Sequence, residues 1–164
     1  MATSIYQQYV AAQPKLLSPI YTVNVDSKIS MKQMIKNGDY SMHQPVFNLI
    51  SDNDSPTKIG QIQLRMRLSN FHYSISSEEA VELLTHTESL LRLATFHELL
   101  SLLSSYPDLA RDLGYPIAAL GSVWHDKLDN LLVPFYCSSE DRELSLFWFK
   151  DHWFRNWRFA CVVK

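Results

Sequence analysis

The chain has 164 residues, a formal charge of −2, 46% hydrophobic residues and four glycines. That length is near the usual size of one domain and suffices to bury a core without metals or disulfides. A charge so near zero excludes a global field that would draw the chain to nucleic acid or anionic lipid.

Residues 1–19 alternate polar and aromatic side chains and carry breakers at Pro14 and Pro19. They predict a flexible N-terminal arm ahead of a single globular α+β domain over 20–164. Tyr6, Tyr9 and Val10 share a helical face, but the piece is too short to stand alone in water. Docked on a neighbouring subunit, these three are the self-association candidates. The opening MATSIYQQYV lacks a basic start and a long apolar core. No run reaches the ~18–20 apolar residues of a spanning helix, so neither a signal peptide nor a membrane span is expected.

Ile20–Val25 alternates and is rich in β-branched residues, which predicts a strand. In SKISMKQMIKNG, Ser30 and Gln33 form a capping box and Gly38 a stop, so a short helix is expected over 31–37. Val46–Ile50 reads as a further strand, and SDNDSPTKIG as an exposed loop. The loop's aspartates lack the glycine and closing glutamate of a calcium site. Gln61–Leu68 is the clearest strand, with Ile62, Leu64, Met66 and Leu68 on one face and Gln61, Gln63, Arg65 and Arg67 on the other. One apolar and one wet face predict a sheet with helices on one side.

Ser76–Ser104 is the longest apolar, helix-favouring run. Ser76 and Glu79 form one capping box, and Thr95 and Glu98 a second. The apolar stripes before and after the second box fall on nearly opposite faces, so two helices are expected, at about 77–93 and 96–104. SYPDLARDLGYP predicts one more short helix, ended by Gly114 and Pro116. Over Ile117–Val133, IAAL and KLDNLL favour helix while Gly121 and SVW interrupt, and Pro134 is a stop. Leu144–Phe149 and Trp157–Val163 read as strands whose spacing allows a hairpin with a wide loop. The resulting fold class is α+β: a small, mostly antiparallel sheet with the two consecutive helices packed on one face.

Basic residues interleave with the aromatic C-terminal segment. Trp153, Phe154 and Trp157 are candidates for contact with membrane or a partner. Lys150, Arg155 and Arg158, with Arg65 and Arg67, are candidates for RNA or phosphate. The other reading is that the rings fill the core and the charges face water. The histidines show no HExxH or paired spacing, and His125 with Asp129 is a lone pair four residues apart. No GxSxG elbow or glycine-rich phosphate loop occurs. Cys137 and Cys161 lie far from metal spacing and are expected as reduced thiols in an intracellular protein. Hence no catalytic, cofactor or metal residue is assigned, and no enzyme or small-molecule substrate is expected.

The order of signals over Ile59–Ser105, an alternating strand IGQIQLRMRLSNFHY leading through a serine cap into a leucine-rich helix with a mid-run histidine, a break, and then FHELLSLLSS, resembles the centre of rhabdovirus matrix proteins of the small, plant-infecting type. That resemblance implies a virion protein beneath the envelope, found also in host cytoplasm and at membranes. It implies self-association into a homo-oligomer and a bridge from the nucleocapsid protein with its RNA to the inner membrane leaflet. It implies no cofactor. The chain departs from the pattern in lacking a lysine-rich N-terminal arm and a PPxY or P(T/S)AP motif. The alternatives are a small viral accessory protein or RNA-silencing suppressor that binds RNA, and a cellular adaptor with a peptide groove at Phe96–Leu103.

Overall fold

The longest strand among the described residues is the one the alternation at Gln61–Leu68 predicts, and it runs on to Asn70. A computed structural model describes residues 16–42, 60–87, 90–138 and 141–164. The strand expected at Val46–Ile50, nearly all of the loop after it, and Tyr6, Tyr9 and Val10 lie outside the described residues.

In chain order the strands are β1 (Leu16–Leu17), β2 (Tyr21–Asp26), β3 (Ser41–Met42), β4 (Gln61–Asn70), β5 (Ile75–Ser76) and β6 (Leu91–Leu93). They continue with β7 (Ile117–Ala118), β8 (Trp124–His125), β9 (Leu131–Ser138), β10 (Arg142–Trp148), β11 (His152–Trp153) and β12 (Arg158–Val163). The α-helices are α1 (Met31–Asn37), α2 (Ser77–Glu82), α3 (Phe96–Ser105) and α4 (Leu109–Leu113). A π-helical turn, Leu83–Thr87, extends α2.

The expected small, mostly antiparallel sheet with two helices on one face is overturned. The described residues form a ten-stranded sheet in the order β1-β4-β12-β7-β9-β10-β3, with β2 beside β4, β6 beside β12 and β8 beside β9. Two of its pairings, β10 with β3 and β12 with β7, are parallel, so the sheet is mixed. Only β5 and β11 stand apart, as a two-stranded pair.

The sheet is covered on both faces. On one side Val23, Val25, Met66, Leu68, Leu144, Leu146, Ala160 and Val162 pack against α3 and α1 through Leu99, Leu100, Leu103, Met31 and Ile35. On the other side Val133, Phe159 and Cys161 meet Leu83 and Leu84 from the π turn, Phe71, Trp153 and Trp157. Alternation along β12 shows why: Ala160 and Val162 serve the first core, Phe159 and Cys161 the second. The wet face predicted for β4 holds only at its start. Gln61, Gln63 and Arg65 are exposed, whereas Ser69 is fully buried under the second layer. Ile62, paired with Val25 near the start of the strand, is exposed rather than core.

The helix expected over 77–93 stops early. Ser76 caps it through its Oγ, which accepts from the Glu79 amide at 3.2 Å. After six α-helical residues the coil widens into the π turn, and Leu91–Leu93 then leaves the helix to pair with β12. Three backbone pairings to a sheet edge, with Leu91 buried, outweigh a helix that would have to bury two opposite faces. The second helix forms as expected. Thr95 Oγ1 accepts from the Glu98 amide while the Glu98 carboxylate accepts from the Thr95 amide, a complete capping box. Ser30 Oγ caps α1 by accepting from the Gln33 amide at 3.2 Å, but Gln33 Nε2 donates to Asn37 Oδ1, so the expected Ser30–Gln33 box is only half formed. Gly114, at φ 64°, ends α4 in the left-handed region.

The expected hairpin of Leu144–Phe149 with Trp157–Val163 does not form. β10 instead pairs with β9 over seven positions, and β12 crosses to β4, β6 and β7. Pro134, read as a stop, lies inside β9 opposite Leu146. Its carbonyl accepts from Ala119 at 3.0 Å. A strand residue turns its N–H and C=O to the same edge, so the missing donor falls on the Ala119 side and no bond to β10 is lost. The helix-favouring pieces of Ile117–Val133 become short strands and a turn. Asp126 holds that turn, accepting from the amides of Leu128 and Asn130 and from Asn130 Nδ2.

Gly121 allows a close approach that the fold requires. Its amide donates to Ala94 O at 3.0 Å, and a Cβ built there would lie 2.5 Å from that same oxygen. Gly121→Ala should therefore destabilise the fold by about 1–2 kcal/mol, read as a lower urea midpoint at unchanged slope.

Candidate functional site: the two ends of the sheet

Strand register sorts the exposed side chains into two groups. β9 starts at Leu131 and β10 ends at Trp148, which faces Leu132. β12 ends at Val163, opposite Leu91. All three termini lie at one end of the sheet. Arg158 and Ile117 pair with each other, and Ile117 pairs with Tyr136, at the opposite end.

The first end is apolar. Leu128 is 83% exposed at the tip of the Asp126 turn, Leu90 is 67% exposed and Trp148 42%. Leu131 joins them. Lys150 lies over the Trp148 ring, Nζ 4.5 Å from its centroid. Lys127 and Lys164 are exposed here too, and Asp126, Asp129 and Asp151 balance the three lysines. Among the described residues this end is therefore apolar, with its charges nearly balanced.

Residues 149–157 cross the second face from this end to the other. Midway, Trp153 is 0% exposed. Its ring packs on Phe147, Trp157 and Phe159, and its Nε1–H donates to Ser77 Oγ at 2.8 Å. Trp153 thus fills core and is no contact residue, contrary to expectation. Trp157 is also buried, touching Phe135 and Phe147.

At the far end the chain turns at Phe154–Trp157, closed by the Trp157 amide donating to Phe154 O at 3.0 Å. The turn borders an open groove of about 650 Å³ lined by Ser74, Tyr115, Phe154, Arg155, Asn156 and Trp157. Phe154 is 65% exposed. The Arg158 guanidinium covers the Tyr115 ring, 4.9 Å from its centroid. Partial burial pulls Arg158 below its ordinary value, and Tyr115 opposes that shift. Among the described residues no carboxylate lines the groove. Phe154, Trp157, Arg155 and Arg158 therefore come together, whereas Lys150 belongs to the other end. Arg65 is exposed on β4. Arg67, opposite Cys161, is half-buried with Nε unpartnered among the described residues. Tyr115 and Ser74 are groove residues that the sequence reading missed; Gly114 and Pro116 flanked Tyr115, but nothing in their spacing marked the ring as facing Arg158.

Other candidates fall away on geometry. His125 Nδ1 meets Asp129 Oδ1 at 2.6 Å, but both side chains are exposed. Burial, then the Glu143 carboxylate, pushes the Cys137 thiol up, away from the thiolate a nucleophile needs. Cys137 and Cys161 are not joined in a disulfide. Phe96–Leu103 is buried throughout, so it presents no peptide groove. Among the described residues no group of three or more His, Cys, Asp or Glu is placed to hold a metal. No helix there is long and apolar enough to cross a membrane. Comparison with family models, with curated proteins and with solved structures finds no match for this chain.

Proposed function

We propose that the protein is a matrix-type structural protein, self-associating and bridging a nucleocapsid to the inner face of a membrane. The observation that carries this reading is the chemical polarity of the sheet. One end offers Leu90, Leu128, Leu131 and Trp148 to an apolar phase. The opposite end offers Arg155, Arg158 and exposed rings to an anionic partner. A rigid sheet with unlike ends is suited to connecting two surfaces. Leucine tips and a tryptophan beside a lysine suit the bilayer interface, where rings sit at headgroup depth and lysine stems snorkel.

Flotation with phosphatidylcholine vesicles tests it. Leu128→Asp, at an exposed turn tip, should leave the melting curve unchanged and reduce the bound fraction several-fold, since a buried CH₂ is worth about 0.8 kcal/mol and a carboxylate resists the interface. Because lysines and aspartates balance there, added phosphatidylserine should change binding little. Equal flotation of Leu128→Asp and the parent would remove the membrane half of the reading. An RNA-binding accessory protein or silencing suppressor is the second reading, favoured by the groove alone.

A further inference from the structure

We infer that the groove between Tyr115 and Phe154 is a binding site for single-stranded RNA, taking a phosphate at Arg155 and Arg158 and stacking an unpaired base on Phe154. The inference deepens the bridging reading at one of its ends and rests on that reading for the choice of RNA over DNA. The site chemistry itself stands on the groove.

Arg155 lines the groove and Arg158 stands beside it over the Tyr115 ring, and among the described lining residues none carries a negative charge to cancel theirs. A concavity of that kind concentrates anions even on a chain that is slightly acidic overall. Arg158 is held in place, since its guanidinium lies on Tyr115 and its amide donates to Pro116 O at 2.9 Å. Its position is therefore set before any ligand arrives. Arg155 is exposed on the Phe154–Trp157 turn and free to swing. Phe154 has no polar atom, so its exposed ring has only its π face to offer. A nucleobase is the partner that presents a flat π face and a phosphate a few ångströms away. Asn156 and Ser74 provide donors and acceptors at the rim for base edges. Duplex RNA buries its faces in its own stack, so the groove selects unpaired strands.

The test uses the full chain and fluorescence anisotropy of a labelled ten-nucleotide oligouridylate, titrated at several salt concentrations. Phe154→Ala should weaken binding by about 5- to 150-fold and leave the salt slope unchanged. Arg155→Gln should lower the slope of log affinity against log salt by about 0.7, one phosphate contact on a single strand. A duplex of equal length should bind at least tenfold more weakly than the single strand. Circular dichroism of both exposed-site variants should match the parent. Preference for the duplex, or affinities in Phe154→Ala and Arg155→Gln equal to the parent's, would overturn the inference. Loss of vesicle flotation in Phe154→Ala without RNA binding by the parent would also overturn it, making this end a lipid contact. DNA bound as tightly as RNA, with both variants impaired, keeps the site but removes the nucleocapsid as its setting. Failure of the Leu128→Asp flotation test alone would sink the membrane half of the bridge and leave the groove intact.

Discussion

Trp153→Ala is expected to destabilise the protein by about 3–5 kcal/mol, the range for removing a large buried ring. The indole is fully buried and touches Phe147, Trp157 and Phe159, so its loss opens a cavity bordered by three rings that are themselves held. Residues 149–157 are fixed to the second face by this side chain, by the buried Trp157 ring and by the two-residue pairing of β11 with β5. The loss would be a large share of the roughly 5–15 kcal/mol that a domain has in total. Two further variants separate packing from hydrogen bonding. Ser77→Ala strands a buried indole N–H and should cost about 1–3 kcal/mol. Trp153→Phe keeps most of the ring volume and should lose less than Trp153→Ala. Urea titration reads all three; a Trp153→Ala midpoint equal to the parent's would mean that the segment does not close over the second core.

Glu98→Ala should be the next most damaging change, at about 3 kcal/mol, because one carboxylate serves three donors. Oε2 accepts from the Thr95 amide at 2.8 Å and from Arg92 Nη1 at 2.9 Å, and Oε1 accepts from Arg92 Nη2 at 2.6 Å. The pair ties β6 to the first turn of α3, where a negative charge also suits the helix dipole. The Glu98 side chain is 9% exposed and that of Arg92 40%, so a bereaved guanidinium rehydrates in part; this places the cost near the low end for a buried pair. The hydrogen bond that Arg92 donates to Glu98 raises the guanidinium above its ordinary value, with burial opposing and the Glu98 charge adding to the rise. In a double-mutant cycle, Arg92→Met with Glu98→Leu should cost less than the sum of the single changes. Strict additivity would mean that the two groups do not interact in solution.

Local signals carried well where a side chain acts on its own backbone. The Thr95 box, the Ser30 cap and the left-handed Gly114 each follow from a few adjacent residues. The alternation of β4 was also legible, because its start keeps one face in water. What failed was long-range. Leu91 and Leu93 belong to a leucine-rich run, and only the free edge of β12, about 70 residues further on, turns them into a strand. Pro134 reads as a stop until Ala119 is known to occupy its donor-free side. The aromatic C-terminus divided within itself: Trp153 went to the core, Phe154 to the surface, and no periodicity in so short a segment distinguishes them. Arg155 and Arg158 were legible as cations, but the groove that Arg155 lines, and the ring that holds Arg158 beside it, needed Tyr115 and Ser74 from distant parts of the chain.

Placing β12 at the middle of the sheet has a consequence for biosynthesis. Arg158–Val163 is bonded on one edge to β4 and on the other to β6 and β7. Without these residues no described strand joins β4 to β7 and β9, and both parts of the sheet keep an unpaired edge. A ribosome must therefore add Arg158–Val163 before the two parts can join, and a nonsense codon just ahead of Arg158 is expected to cost the whole fold rather than one strand, read as the loss of a cooperative urea transition.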